Sequence, residues 1–150
     1  MTIHKLGLTL IKEFEKLRLE VYKDSGDKDT IGWGHLVKSG EEFETITETE
    51  ADTILTQDLK IAENAVNDLV TVPLVQKMFD SLCSLCYNIG RSNFNRSTLL
   101  MLLNQKKYNE VPAQFLRWVY AGGKKLNGLV RRRSVEAKLF QEGIREIQKT

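Results

Sequence analysis

Apolar residues recur at helical spacing in the first segment of the chain, over residues 6–18. On a helical wheel Leu10 and Phe14 lie on one face, and Glu13 lies on the opposite, solvent-facing side. Glu15 falls on the apolar side although it carries a charge. The pattern therefore predicts an amphipathic helix near whose end the Glu15 carboxylate is shielded from water.

The hydrophobic period then changes from that of a helix to that of short β-strands. Residues 19–22 and 30–35 are rich in β-branched and aromatic side chains. The residues between them, DSGDKD at 24–29, are types that tolerate the tight backbone of a turn. This part of the chain is therefore predicted to form a small hairpin or a three-stranded sheet.

The remainder of the chain has helical spacing. Thr47 and Glu50 form a capping-box pattern at the start of a long predicted helix over about residues 48–70. The expected fold class is α+β and mainly helical, with a small β-containing N-terminal lobe (about 1–46), the long helix, a helical C-terminal lobe (about 75–150) and a groove between the lobes. Within the C-terminal lobe the pattern predicts helices at about 75–89, 98–103, 108–120 and 129–148, a turn at 90–93 and a break at Gly122-Gly123.

Composition favours one globular domain. At 150 residues, of which 41% are hydrophobic, the chain is long enough for a single domain with a core of its own. The net charge of +2 is a weak excess for a dedicated nucleic-acid-binding protein. No run is apolar enough to span a membrane, and charged residues interrupt the N-terminal segment too often for a signal peptide. We therefore expect one domain that stays in the cytoplasm in which it is made.

Two cysteines, Cys83 and Cys86, have the C-x-x-C spacing of some zinc and redox sites. They lie within an apolar run, and the only two histidines, His4 and His35, do not have the spacing that a zinc site requires. We expect both cysteines to be buried in a helix as small hydrophobic residues.

Glu15, Asp24 and Thr30 form the pattern E-x8-D-x5-T, in which one carboxylate ends a helix and the other two residues bracket the predicted turn. With the flanking residues, EKLRLEVYKD at 15–24 and TIGWGH at 30–35, this pattern closely resembles the phage-type lysozymes, or endolysins, which are muramidases that cut bacterial peptidoglycan. One departure is Lys16, where the family usually has glycine. Further matching motifs extend the resemblance over nearly the whole chain: Tyr87-Asn88-Ile89-Gly90, Phe94, Ser97-Thr98-Leu99-Leu100, Phe115-Leu116-Arg117-Trp118, Ala121-Gly122-Gly123 and Gly128-Leu129-Val130-Arg131-Arg132-Arg133.

The chemistry of the three residues agrees with the resemblance, because cleavage of a glycosidic bond requires a protonated acid and an ionised carboxylate. Desolvation is expected to disfavour the charged form of Glu15, although Arg18 would oppose this if the helix continued so far. On its polar turn Asp24 is expected to stay ionised, and the Thr30 hydroxyl can hold a water molecule against it. The prediction is a lysozyme that hydrolyses the β-1,4 bonds between N-acetylmuramic acid and N-acetylglucosamine for host-cell lysis. The resemblance implies inversion at the anomeric carbon and neither a metal nor a cofactor.

Four residues match positions near the substrate groove of the family. They are Leu36, Tyr87, Asn88 and Arg117, which become candidate contacts to the sugars or to the peptide stem. For Leu36 and Tyr87, packing in the core is an equal alternative.

The resemblance implies a structural role for His35, paired with Asp58 on the long helix. Trp118 is expected to pack in the core rather than to serve as a platform for a sugar. The run Arg131-Arg132-Arg133 is expected on a solvated face, with binding of an anionic wall polymer as the alternative.

Two other functions stay open at this point. A lytic transglycosylase would act on the same polymer with the sugar's own hydroxyl, but it would not need Asp24 and Thr30 to hold water. A helical binding module would use the arginine run on nucleic acid or wall polymer. A lysozyme would have peptidoglycan as its partner and would need a holin-type membrane permeabiliser for access. It would act as a monomer and would not bind nucleic acid. A toxin exported by a secretion machine would have the same sequence features.

Overall fold

Helix α1, Lys5–Glu15, is the first element of the computed structural model, which describes residues 1–149. Its apolar face buries Leu10 and Ile11. The side chain of Asp80 accepts hydrogen bonds from the backbone N–H groups of His4 and Gly7, which have no acceptor within the first turn of the helix. A residue far along the chain therefore caps this helix.

The helix ends at Glu15, three residues before the predicted limit. Lys16 follows with φ of 58° and ψ of 144°, a conformation that glycine adopts more readily than lysine. This bend ends the helix, and Arg18 begins the first strand. The expectation that Arg18 extends the helix beside Glu15 is therefore wrong.

The predicted small sheet has three antiparallel strands in the order β1 (Arg18–Lys23), β2 (Asp29–Gly32) and β3 (His35–Leu36). Ile31 on β2 is fully buried and packs with Ile46 and Ala51. The sheet is thereby attached to the start of the long helix that follows.

This long helix, α2, spans Glu48–Leu69 and begins with the predicted capping box between Thr47 and Glu50. Its buried face contacts apolar clusters in both lobes. Ala51 packs under the sheet, whereas Ala62 and Val66 pack in the core of the C-terminal lobe. The helix therefore connects the two lobes along one continuous apolar face.

The C-terminal lobe is built around the buried helix α3, which packs against α1, α2 and the last helix. Its largest fully buried side chains include Phe79, Phe94, Phe115 and Phe140. Its elements are α3 (Gln76–Ile89), α4 (Arg91–Asn95), α5 (Thr98–Asn104), a 3-10 turn (Tyr108–Glu110), α6 (Val111–Phe115), β4 (Tyr120–Ala121), β5 (Lys124–Lys125) and α7 (Asn127–Gln148).

Two local predictions in this lobe are wrong. The segment 90–93, predicted as a turn, begins the short helix α4, and the helix predicted over 108–120 divides into the 3-10 turn and α6. The break predicted at Gly122-Gly123 is present, and it is the turn of the β4–β5 hairpin, in which both glycines have positive φ. Apolar spacing identified the buried positions here, but the hairpin depends on the backbone conformation of the glycines.

Cys83 and Cys86 are buried on α3 without a disulfide, as predicted. Burial raises the pKa of the Cys86 thiol to about 11 and also raises that of Cys83, so both stay protonated. The fold class is α+β and mainly helical, which confirms the prediction. Within residues 1–149 no helix is both long and apolar enough to cross a membrane.

Candidate active site

A cavity of about 370 Å³ lies between the two lobes. Glu15, Asp24 and Thr30 line it from the side of the N-terminal lobe. Among the other predicted site residues, the structure also places Leu36, Tyr87, Asn88, His35 and Asp58 at its wall. Residues far apart in the sequence therefore share one groove.

The Glu15 carboxylate is partly shielded at the C-terminal end of α1, with 17% of its side chain exposed. Its surroundings are not simply apolar, because Arg132 of α7 donates a hydrogen bond from Nη1 to Glu15 Oε1 at 2.5 Å. Arg18 is the nearby cation that the sequence suggests. The cation that contacts Glu15 is Arg132, 117 residues further along the chain.

Gly34 lies against the second oxygen of Glu15. A Cβ atom at Gly34 would stand 2.2 Å from Glu15 Oε2, far inside van der Waals contact. The φ of Gly34 is +88°, which also disfavours any residue with a side chain. The turn between β2 and β3 can therefore approach the carboxylate only with glycine at this position.

Asp24 is held by the backbone of the turn between β1 and β2. Its Oδ1 accepts hydrogen bonds from the N–H groups of Gly26 and Lys28, both at 2.8 Å. Within residues 1–149 no hydrogen-bond donor contacts its Oδ2. The turn residues thus fix the carboxylate by one oxygen and leave the other for a ligand or water.

Thr30 lies at the start of β2 and is 2% exposed. Its hydroxyl donates a hydrogen bond to the Lys28 carbonyl at 3.0 Å. Because the hydroxyl proton is used in this bond, the lone pairs of Oγ1 are left to accept from another donor.

The arginine run of α7 is not a solvated face, and that expectation is wrong for two of its three members. Arg131 is exposed, but Arg132 and Arg133 are 3% and 0% exposed. Both guanidinium groups donate to Glu136, which is also fully buried. The sequence carried a signal for this arrangement, because Glu136 follows the two arginines at helical spacings of four and three residues.

Tyr87 and Asn88 reach the groove from the end of α3. The Tyr87 hydroxyl donates to the Trp33 carbonyl at 2.8 Å, and burial raises the pKa of this hydroxyl, so it stays protonated. Arg133 donates to Asn88 Oδ1, which leaves the Asn88 amide N–H groups to donate to a ligand. Leu36 is 48% exposed, so it is a groove residue rather than a core residue.

His35 is buried between two carboxylates. Its Nδ1 lies 2.7 Å from Asp58 Oδ2, and its Nε2 lies 3.0 Å from Glu41 Oε1. Burial by itself lowers the pKa of His35, but the hydrogen bonds to Glu41 and Asp58 outweigh it and raise the pKa above 6.5. The Lys38 backbone N–H and then His35 lower the pKa of Glu41. The resemblance implied the Asp58 partner but gave no indication of Glu41.

The residues of the 115–118 motif, including the predicted contact Arg117, lie outside this cavity. Arg117 is exposed after α6 and does not line the groove. Trp118 packs against the apolar core of the C-terminal lobe, and its carbonyl accepts a hydrogen bond from Arg133. Within residues 1–149 no group of three or more His, Cys, Asp or Glu side chains is arranged to hold a metal ion.

A small β lobe and a helical lobe that enclose two carboxylates with different partners define the lysozyme class of glycoside hydrolases. Comparison with known proteins agrees. The phage lysozyme family matches residues 12–136. The endolysin of Salmonella phage P22 is 42% identical over 144 residues, which cover 93% of this chain and 98% of that protein. The endolysin of Bacillus phage B103 is 38% identical over 145 residues, and the match spans 95% of this chain but only 55% of that protein.

Solved structures show the same relationship. The muramidase domain of SpmX from Asticaccaulis excentricus superimposes with a TM-score of 0.83 at 36% identity, covering 93% of this chain and 97% of that domain. A mutant of P22 lysozyme superimposes with a TM-score of 0.80 at 41% identity, covering 94% and 99%. The chain belongs to the phage lysozyme family. It is a lysozyme, a glycoside hydrolase that acts on bacterial peptidoglycan.

Proposed function

We propose that this lysozyme cleaves the β-1,4 bond between N-acetylmuramic acid and N-acetylglucosamine, with Glu15 as the general acid and Asp24 and Thr30 as the residues that hold the attacking water. One observation carries the proposal: these three side chains line the same cavity, and the two carboxylates have different hydrogen-bond partners. A glycosidase needs this difference, because one carboxyl group must deliver a proton while the other accepts one.

The hydrogen bonds of Glu15 support one of its oxygens as the carrier of the proton. Oε1 accepts from Arg132, so the acidic proton is carried by Oε2, the oxygen beside Gly34. The absence of a side chain at Gly34 leaves room for this protonated oxygen. Glu15 can then donate its proton to the glycosidic oxygen as the bond breaks.

Asp24 and Thr30 offer complementary acceptors to one water molecule. The water donates one proton to Asp24 Oδ2 and the other to Thr30 Oγ1, whose own proton is held by the Lys28 carbonyl. A lone pair of the water is then left to attack the anomeric carbon while Asp24 takes the proton as general base. Attack by water from the face opposite the leaving group inverts the anomeric configuration.

The groove residues of α3 supply contacts to the glycan. The Asn88 amide can donate to a sugar hydroxyl or to an acetamido carbonyl, and the exposed face of Leu36 can pack against a sugar ring. Arg117 lies away from the cavity, so its contact would be to a peptide stem rather than to the cleaved sugars.

In the cell, the proposal is that the enzyme is made in the host cytoplasm, acts as a monomer and reaches peptidoglycan through a holin-type membrane permeabiliser. The binding-module alternative loses its main support, because only Arg131 of the arginine run is exposed. Expression with and without a co-expressed holin tests the route: lysis that occurs equally without the holin would contradict it.

The Glu15→Gln variant tests the chemistry. This change keeps the shape of the side chain and removes its proton, so activity on purified peptidoglycan should fall by about 10² to 10⁴ or more while the fold is retained. Mass spectrometry of the wild-type digest should show reducing ends. Anhydro ends would identify a transglycosylase, and a folded variant with activity within about tenfold of the wild type would refute the role of Glu15.

A further inference from the structure

We propose that Glu136, a residue with no access to the groove, is a positioning residue for both sides of the active site and keeps Glu15 able to carry a proton. This inference rests on the proposed role of Glu15 as the general acid. Glu136 lies on α7 and is 0% exposed, so it acts only through the side chains that contact it.

Both carboxylate oxygens of Glu136 are engaged. Oε1 accepts from Arg133 Nη1 at 2.5 Å, and Oε2 accepts from Arg132 Nε at 3.2 Å and from the Ser84 hydroxyl at 2.5 Å. The two guanidinium groups extend in different directions from this anion. Arg132 reaches Glu15, and Arg133 reaches Asn88. One buried carboxylate therefore orients the proposed acid and a proposed glycan contact at the same time.

The charges of this cluster explain why the carboxylate matters for proton transfer. Arg132 and Arg133 carry two positive charges, and Glu136 carries one negative charge. The cluster is therefore neutral when Glu15 is ionised and carries one positive charge when Glu15 is protonated. Without the charge of Glu136, protonation of Glu15 would leave two buried guanidinium groups with no anion, which strongly favours the ionised form of Glu15.

Within residues 1–149 no other element supplies the missing negative charge to Arg132 and Arg133. Tyr22 on β1 and Tyr87 on α3 face Glu15, and burial raises the pKa of both, so they are neutral. Ser84, the contact that α3 makes with Glu136, is neutral as well. Asp24 lies at the cavity but is fixed by the backbone of its own turn. In the part of the chain that the structure describes, Glu136 and Glu15 are the acidic side chains that pair with Arg132 and Arg133.

The test compares the alkaline limb of the pH–activity profile in charge variants of the cluster. Glu136→Gln should move this limb by about one pH unit to lower pH, because one charge near the arginines has been removed. Relative to the wild type, activity should then be about tenfold lower at pH values above the alkaline limb than at pH values below it. Arg133→Gln removes a positive charge and should move the limb to higher pH. The double variant should restore it towards the wild-type position.

Two controls separate this effect from loss of stability and from failure of the proposed function. Glu50→Gln makes the same chemical change in the first turn of α2, where it removes a negative charge that stabilises the helix N-terminus, so it should lower stability without moving the limb. A ¹³C NMR titration of the Glu15 carboxyl, assigned by its loss in Glu15→Gln, reports proton binding without any need for activity.

The NMR titration and the alkaline limb should move together, in opposite directions for Glu136→Gln and Arg133→Gln. The inference is overturned if the NMR titration and the alkaline limb are unchanged in both variants. It is also overturned if the two variants shift the NMR titration in the same direction. If Glu136→Gln does not fold, Arg133→Gln decides: a shift to higher pH supports the inference, and an unchanged titration overturns it. If the NMR titration of Glu15 shifts but the alkaline limb does not, Glu15 is not the general acid. The proposed function and the catalytic role of Glu136 are then both wrong.

Discussion

Replacing Gly34 with alanine is expected to remove most of the activity, because the new methyl group would occupy the space of the Glu15 carboxylate. The added Cβ would lie 2.2 Å from Oε2, and Oε1 on the other side is already held by Arg132 at 2.5 Å. The carboxylate therefore cannot move away from the added methyl group without disturbing its ion pair with Arg132. Oε2 is also the oxygen that we propose as the carrier of the catalytic proton.

The backbone offers a matched control for this substitution. Gly40 has φ of +87°, almost the same as the +88° of Gly34, but a Cβ there would meet no atom within 4 Å. Alanine in a left-handed conformation costs about 1–2 kcal/mol at either site. In a protein of this size that corresponds to a loss of about 2–8 °C in Tm. Only Gly34→Ala adds the clash with Glu15.

The displacement that the clash requires sets the expected loss of activity. Relief of the contact moves the carboxylate by about 1 Å, and a misplacement of that size costs on the order of 10²-fold in rate. The assay is the initial rate of peptidoglycan hydrolysis well below the Tm of each variant, with near-UV circular dichroism to establish folding. If Gly34→Ala and Gly40→Ala have rates within about threefold of each other, the close approach to Glu15 is not a constraint on catalysis and the reasoning is wrong.

Three further predictions follow from the site. Asp24→Asn should reduce turnover severely because the amide is a poor base. Asp27→Asn in the same turn and Asp29→Asn at the start of β2 should be nearly silent in a turnover assay. His35→Asn should lower the Tm most between about pH 4.5 and 6.5. Because the pKa of His35 is raised by folding, its stabilising contribution is present below the pKa of the unfolded state and is lost as pH rises through the pKa of the folded state. Because the pKa of Glu41 is lowered by folding, its contribution is lost as pH falls through the pKa of the folded state. The first product of hydrolysis should have the α-anomeric configuration, measured by early proton NMR on a soluble glycan fragment.

Each of these has an outcome that would contradict it. Equal losses in all three aspartate variants would mean that the turn matters through folding or net charge. A His35→Asn variant with wild-type stability at about pH 6 would show that the pairs with Asp58 and Glu41 contribute nothing. A β-anomer would make Asp24 a nucleophile and would leave Thr30 without its proposed role.

Local sequence patterns predicted a large part of this protein. The change of hydrophobic period after the first helix, the polar turn that begins at Asp24 and the capping box at Thr47 all act over a few residues, so their structural effect can be recognised in the sequence. The burial of Cys83 and Cys86 followed from the apolar run around them. These features depend on backbone propensity and on which face of an element each side chain occupies. Both are determined largely by neighbouring residues in the sequence.

The ends of helices were less predictable where the backbone conformation of one or two residues determines them. Lys16 ends α1 through a positive φ, although lysine gives no sign of such a conformation. The pair Gly122 and Gly123 was recognised as a break, but the two short strands beside it contain too few residues for a strand pattern.

The surroundings of the proposed acid were decided only by the tertiary structure. The wheel placed Glu15 on a shielded face, but it could not show that Arg132 approaches from α7 or that Gly34 approaches from the sheet. Likewise the run Arg131-Arg132-Arg133 has the appearance of a solvated surface, whereas Glu136 allows two of its members to be buried. Hydrophobic periodicity indicates which face of an element is covered. The periodicity does not indicate which charged side chain or which backbone segment packs against that face, because this depends on how distant elements pack against one another.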